Sequence, residues 1–154
     1  KAYVYGVQAE LNFYFGYGFG MRNTFNWMKG EEQSPDSLIY YPLSHATPVY
    51  GGSHLTYERK KMKFDFYIMY NGKMDYVDFA LSERTENGSY VKDASGLPYT
   101  PSWYALNFKA GYYINKNISV NAGIENITDQ LYRPYGSGIS APGRNFIFAV
   151  HGRF

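Results

Sequence analysis

Apolar side chains fall on every second position from Phe146 to Val150, and the sequence closes on an aromatic, Phe154. Gly152, Val150, Phe148 and Phe146 share one phase; Arg153, His151, Ile147 and Asn145 share the other. Period two with one greasy face fits a strand and excludes a helix, because successive Cβ atoms of a strand point to opposite sides. Six further segments repeat the pattern, and the connections between them alternate between very short turns and long polar loops. A soluble sandwich can also end in a strand. The alternating short and long connections are instead the rhythm of a membrane-barrel wall.

Composition agrees once its average is set aside. The 154 residues include 18 Tyr, 11 Phe and 16 Gly, yet mean hydropathy is only -0.44. No run approaches the roughly 20 apolar residues of a membrane helix, whereas a barrel strand follows each lipid-facing residue with one facing a watery lumen. The absence of Cys leaves the redox compartment open. A formal charge of +2 and no basic run longer than Arg59-Lys60-Lys61 give no reason to expect a nucleic-acid partner. The sequence starts at Lys1 inside a strand-like pattern with no leader peptide, which suggests a fragment or a processed chain.

The first segment, 2–15, carries Tyr3, Tyr5, Val7, Ala9, Leu11, Phe13 and Phe15 on one phase and Gln8, Glu10 and Asn12 on the other. Aromatics at both ends with aliphatics between them match two interfacial girdles flanking a hydrocarbon band. After the turn at 16–18, Phe19, Met21, Phe25 and Trp27 oppose Arg22, Thr24 and Asn26, with Asn23 interrupting the apolar face. Residues 29–48 read as a loop. Segment 49–59 sets Leu55 and Tyr57 against His54, Thr56 and Glu58; the next sets Met62, Phe64, Phe66, Ile68 and Tyr70 against Lys63 and Asp65. Residues 71–100 form the longest loop, with a small hairpin expected at Glu86-Asn87-Gly88 because Asn-Gly favours tight turns. Tyr104, Leu106, Phe108, Ala110 and Tyr112 then oppose Asn107 and Lys109, and Ile118, Val120, Ala122 and Ile124 oppose Ser119, Asn121 and Glu125.

The expected fold is therefore all-β: about seven antiparallel strands of a transmembrane β-barrel wall. Val7, Leu11, Phe64, Phe66, Leu106, Phe108, Ile124 and Phe148 are expected to face lipid. Arg22, Asn26, His54, Glu58, Lys63, Asp65, Lys109 and Glu125 are expected to face the lumen. Short turns lie on the periplasmic side of such barrels and long loops outside, so residues 29–48, 71–100 and 129–143 are expected to be extracellular. Seven strands cannot close a bacterial barrel, which uses an even number. Either the remaining wall lies elsewhere, or one strand is hidden and the chain is a small eight-stranded barrel of structural or accessory role.

The stretch Asn121-Ala122-Gly123-Ile124-Glu125-Asn126-Ile127-Thr128-Asp129-Gln130-Leu131-Tyr132, followed by Pro142-Gly143-Arg144-Asn145 and the aromatic-ended strand, resembles the C-terminal signature of TonB-dependent outer-membrane receptors. The resemblance implies a bacterial outer-membrane location and a plugged barrel of about 22 strands, of which this chain would be the last third. It also implies uptake of a scarce ligand of the ferric siderophore, haem or cobalamin class, with no intrinsic cofactor. The implied partners are membrane lipids, the remaining barrel and plug, the TonB complex reached through an N-terminal part outside this sequence, and the barrel-assembly machinery. Phe146, Phe148, Val150 and Phe154 resemble the signal that this machinery reads.

Loop aromatics offer contact area at low entropic cost. The expected ligand-binding candidates are accordingly Tyr40, Tyr41, His45, Tyr90, Tyr99, Arg133 and Tyr135, with His45 the one plausible haem ligand; Trp103 is a further loop aromatic of this kind, with an interfacial girdle position as its alternative. Gly136-Ser137-Gly138-Ile139-Ser140-Ala141 formally matches a dinucleotide fingerprint, but Pro142-Gly143 stops the helix such a motif needs. The histidines lack paired-ligand spacing. Asp75, Asp78, Glu83 and Glu86 lack calcium-loop spacing and read as solvated loop charge. Ser44 and His45 are adjacent, which is no geometry for a triad, so no enzyme is expected.

Overall fold

The computed structural model describes residues 1–34, 36–85 and 90–153. Seven long strands form one antiparallel sheet in chain order: β1 (Ala2–Gly16), β2 (Phe19–Gln33), β3 (Tyr50–Arg59), β4 (Met62–Asn71), β5 (Trp103–Tyr113), β6 (Ile118–Glu125) and β7 (Asn145–Gly152). Each pairs with its sequence neighbour, the simplest topology for strands that need only turns and loops between them. No helix among the described residues is long and apolar enough to cross a membrane.

The register explains why the alternation was so regular. Met21 lies opposite Leu55, Leu55 opposite Phe66, Phe66 opposite Phe108, Phe108 opposite Ile124, and Ile124 opposite Phe146. One apolar row thus crosses six strands on a single face, continued to β1 through Phe13 opposite Met21. A one-residue slip in any strand would turn its apolar set to the other face. Large side chains on this face are exposed rather than packed in a core, Leu11, Phe66, Phe148 and Val150 among them. The opposite face carries Tyr67, Ala105 and Asn107, which are buried.

Several expectations need correction. The second strand continues to Gln33 and pairs along β1 as far as Ala2 opposite Glu32, and residues Tyr40–Pro42 add a short strand to it. Residues 29–33 and 40–42, expected as loop, are therefore sheet. Among the described residues no eight-stranded barrel closes: the eighth sheet member is that short strand, and β1 and β7 end the order without pairing with each other. The small hairpin of the longest loop pairs Val91–Lys92 with Pro98–Tyr99. The Glu86-Asn87-Gly88 turn lies outside the described residues, as does Phe154.

That longest loop also has structure of its own. Its base is closed by a bridge between Met74 and Thr100, and it holds a 3-10 turn at Tyr76–Asp78 and one helical turn at Leu81–Arg84. Phe79, Ala80 and Glu83 in this segment are the most deeply buried residues of the chain among those described. The packed interior sits at the long-loop end, not in the wall.

Candidate functional site

Glu83 organises the long-loop end. Its side chain is 1% exposed, so its carboxylate must find donors or carry the cost of an unpaired buried charge. The Ala80 N–H donates to Oε2 at 3.2 Å, within the same helical turn. The His45 N–H donates to Oε1 at 3.1 Å, and the Tyr135 hydroxyl donates to the same oxygen at 2.9 Å. One carboxylate thus ties together the β2–β3, β4–β5 and β6–β7 loops. Reading Glu83 as solvated loop charge was wrong, because its partners come from 38 and 52 residues away. Asp75 remains at the surface, ion-paired with Lys73.

A second clamp folds the β6–β7 loop back on the wall. The backbone N–H of Asn126, a residue at φ 50°, donates to Asn107 Oδ1 at 3.0 Å. The Asn126 Nδ2 donates to the carbonyls of Gln130 (2.8 Å) and Pro142 (3.2 Å), while its Oδ1 accepts the Gln130 N–H at 2.9 Å. Asp129 Oδ1 accepts the Arg144 N–H at 2.7 Å, and a Cβ placed on Gly143 would stand at that same 2.7 Å from the carboxylate oxygen. The Asn-x-x-Asp and Pro-Gly-Arg elements of the sequence signature are therefore two halves of one hydrogen-bonded fold, and a side chain at 143 would force the Asp129 carboxylate to shift.

Between these clamps lies a cleft of about 430 Å³, of the size that holds a small-molecule ligand. Tyr90, Tyr99, Trp103, Tyr132 and Tyr135 supply aromatic walls, and Arg133 borders it. Trp103 stacks on Tyr132 with ring centroids 4.2 Å apart, and Tyr90 packs against Phe79 at 4.5 Å. Burial pushes the Tyr132 phenol above its ordinary pKa, the Glu125 charge adding to the effect. Of the expected candidates, Tyr90, Tyr99, Arg133 and Tyr135 meet at this cleft. Tyr40, Tyr41 and His45 do not line it. The Tyr40 ring lies 5.6 Å from that of Tyr3, Tyr41 pairs with Glu32, and the His45 side chain is exposed.

Sequence reasoning missed Thr100 and Tyr132, and it gave Trp103 as a loop aromatic with a girdle position as its alternative. Trp103 lies opposite Asn71 and one residue out of phase with Tyr104, Leu106 and Phe108, so it sits on the face of Ala105 and Asn107 rather than on the apolar row. The phase of β5 was sufficient to place it there. Tyr132 is the aromatic of the signature itself.

The eight polar residues expected inside share that same face. Arg22 lies opposite His54, and Asn26 opposite Tyr50. His54 Nδ1 is 3.0 Å from both carboxylate oxygens of Asp65, and its ring stacks on Tyr67 at 4.8 Å. Lys63 meets Glu58 at 3.1 Å and Lys109 meets Glu125 at 3.0 Å. These are cross-strand pairs of the kind that hold neighbouring strands in register. Val7, Leu11, Phe64, Phe66, Leu106, Phe108, Ile124 and Phe148 share the other face.

A family model described as the β-barrel of TonB dependent receptor-like proteins matches residues 1–127. No curated protein matches the chain in sequence. Among solved structures, the copper transporter OprC superposes over 99% of this chain with a TM-score of 0.79 at 17% identity. A variant of the ferric enterobactin receptor PfeA from Pseudomonas aeruginosa covers 98% of it at 0.69 and 16% identity. The siderophore receptor PiuA from Acinetobacter baumannii covers 98% at 0.64 and 18% identity. At such identities the likeness is one of fold. This chain spans 24% of the first of these proteins and 22% of the other two.

Proposed function

Since the chain belongs to the TonB-dependent receptor β-barrel family of the bacterial outer membrane, we propose that it forms part of the wall and outer loops of a receptor importing a scarce metal chelate. The observation that carries this reading is the open sheet. Its end strands β1 and β7 lack outer partners among the described residues, and each unpaired backbone group in lipid costs several kcal/mol. Further strands complete the wall, to about 22 in this family. A plug fills the lumen and passes energy from the TonB complex.

In this arrangement the apolar row through Phe66 and Phe108 meets lipid, and the face of Arg22, His54, Asp65, Lys109 and Glu125 lines the lumen. The turns at 16–18, 59–61 and 115–117 are periplasmic and the long-loop end is extracellular. Phe146, Phe148, Val150 and Phe154 serve as the segment read by the barrel-assembly machinery, through strand pairing and aromatic anchoring. The cargo is of the ferric-siderophore type, a reading supported by the shared fold of the ferric enterobactin receptor PfeA and the siderophore receptor PiuA; haem and cobalamin are the competing cargoes.

The test replaces residues 34–49 and 72–102 by short Asn-Gly turns in the parent protein. Growth is then scored with a ferric catecholate, haem or cobalamin as the limiting nutrient. Loss of growth on one nutrient, with a folded and heat-resistant barrel still present, supports the reading and names the cargo. Unchanged growth on all three moves recognition out of this chain.

A further inference from the structure

The basic run Arg59-Lys60-Lys61 has no part in the sites described above, and the register gives it a specific position. Arg59 shares a phase with Leu55 and Tyr57 and lies opposite Met62, so the apolar face of β3 ends on a guanidinium. Beside it runs a shallow apolar groove of about 680 Å³, lined by Tyr17 and Arg59 from the turns and by Phe19, Tyr57, Phe64 and Phe108 from the strands. Those four strand rings form a ribbon across β2, β3, β4 and β5, with successive centroids 4.8, 5.9 and 6.2 Å apart. The turn that carries the cations is fixed on both sides: the Glu58 N–H donates to the Gly18 carbonyl at 2.8 Å, and the Tyr113 N–H donates to the Lys61 carbonyl at 2.8 Å. A Cβ on Gly18 would stand 2.5 Å from the Glu58 carbonyl oxygen, so the β1–β2 turn lies directly against this one.

Charge at this end of the sheet is one-sided. The turns and strand ends at 16–19, 58–63, 113–118 and 151–153 also hold Lys63, Lys116 and Arg153, and Glu58 is their one acid. Glu58 is paired with Lys63 at 3.1 Å, and Lys61 Nζ donates to the Ile114 carbonyl at 2.8 Å. Arg59 and Lys60 are exposed and have no carboxylate partner among the described residues. An apolar groove that ends in unpaired cations is complementary to an amphiphile with a hydrocarbon tail and an anionic head. We propose that this groove holds one anionic phospholipid of the periplasmic leaflet, its acyl chain along the aromatic ribbon and its phosphate against Arg59 and Lys60. An ethanolamine lipid fits less well, because its ammonium would meet cations and find no free carboxylate. The inference rests on the reading above that the apolar row meets lipid and the short turns are periplasmic.

The probe is phosphatidylglycerol carrying a photoreactive diazirine in its acyl chain, mixed into phosphatidylethanolamine vesicles that contain the intact parent protein. Phosphatidylethanolamine with the same diazirine is the comparison, and labelled peptides are mapped by mass spectrometry after photolysis. Both lipids should label Ile124 and Phe148 on the apolar row, whereas residues 55–66 should be labelled preferentially by phosphatidylglycerol. Arg59→Gln and Lys60→Gln should each lower that preference about fivefold, the contribution of one cation at an anionic lipid surface. Lys116→Gln removes a charge at the same end but outside the groove, and should leave the preference unchanged. Heat-modified electrophoretic mobility checks that the variants are folded. Equal labelling of residues 55–66 by the two lipids, or an equal loss of preference in the Lys116 variant, would overturn the site and leave the receptor reading intact. Label at Ile124 and Phe148 with none at 55–66 would mean that protein covers the groove, and would also overturn the site. No label on the row from either lipid would overturn the placement of the apolar face in lipid, and the site with it.

Discussion

The Tyr135 hydroxyl donates to Glu83 Oε1 at 2.9 Å, joining loops that are separated by two strands of the wall. The same oxygen accepts the His45 N–H, so one carboxylate holds contacts from three long loops. Glu83→Ala should remove the carboxylate acceptor of the Ala80 and His45 N–H groups and of the Tyr135 hydroxyl, at about 1–3 kcal/mol for each amide that stays buried without a partner. Hydrogen exchange at the His45 and Ala80 amides measures this directly. Both should exchange at least tenfold faster in the variant, while amides of β4 and β5 are unchanged. Glu83→Gln, which keeps a carbonyl acceptor without the charge, should fall between the two.

Asn126 is the corresponding hub of the β6–β7 loop. It is buried, adopts a positive φ that Asn tolerates better than most residues, and makes side-chain bonds to Gln130 and Pro142. Asn126→Ala should destabilise the folded protein by about 1–3 kcal/mol through the unpaired Gln130 N–H and carbonyls. Asn126→Gly relieves the backbone and restores none of the bonds, so it should be no better than a partial rescue. Urea unfolding in vesicles compares the three proteins; a fully stable glycine variant would make φ, not the hydrogen bonds, the reason for asparagine.

The wall was legible because its signal is local. Phe64, Phe66 and Ile68 announce their common face within five residues, and lipid or any other apolar surroundings reward the same spacing. The loop end was not, because its order rests on distant partners. Nothing around Glu83 distinguishes it from Asp75 or Asp78 until Tyr135 and His45 arrive. The extension of β2 through Glu31 and Glu32 was hidden for a similar reason: those residues look like loop, and it is pairing with Tyr3 and Ala2 on β1 that makes them strand. The cleft was half legible, since Tyr90, Tyr99, Arg133 and Tyr135 stood out as loop residues with binding chemistry, whereas Thr100 matters only through its burial.

Phe66 stands in the middle of the apolar row, between Leu55 and Phe108. With that row against lipid near the bilayer midplane, Phe66→Arg should cost about 2–4 kcal/mol of folding stability. The cost should shrink in a detergent micelle, where water reaches the site more readily. Equal stability of the parent and variant in bilayers would mean that this face does not meet the hydrocarbon.

The opposite face makes a sharper test, because two cross-strand contacts on it, each between a carboxylate and a nitrogen base, differ in their surroundings. Glu58 and Lys63 meet at 3.1 Å with both side chains more than half exposed, so screening and side-chain entropy offset most of the attraction. Asp65 meets His54 at 3.0 Å through both oxygens, with the side chains 25% and 16% exposed and Tyr67 stacked on the imidazole. Glu58→Ala should therefore change unfolding stability by less than about 1 kcal/mol. Asp65→Ala should cost about 1–3 kcal/mol, because it strips the partner from a ring held in place by packing. Raising the salt concentration should reduce any Glu58 effect and leave the Asp65 effect largely intact, since partly buried pairs are screened less. Two equal, equally salt-sensitive losses would mean that water reaches His54 as freely as Lys63, and that the inner face is held by the backbone ladder rather than by its side chains.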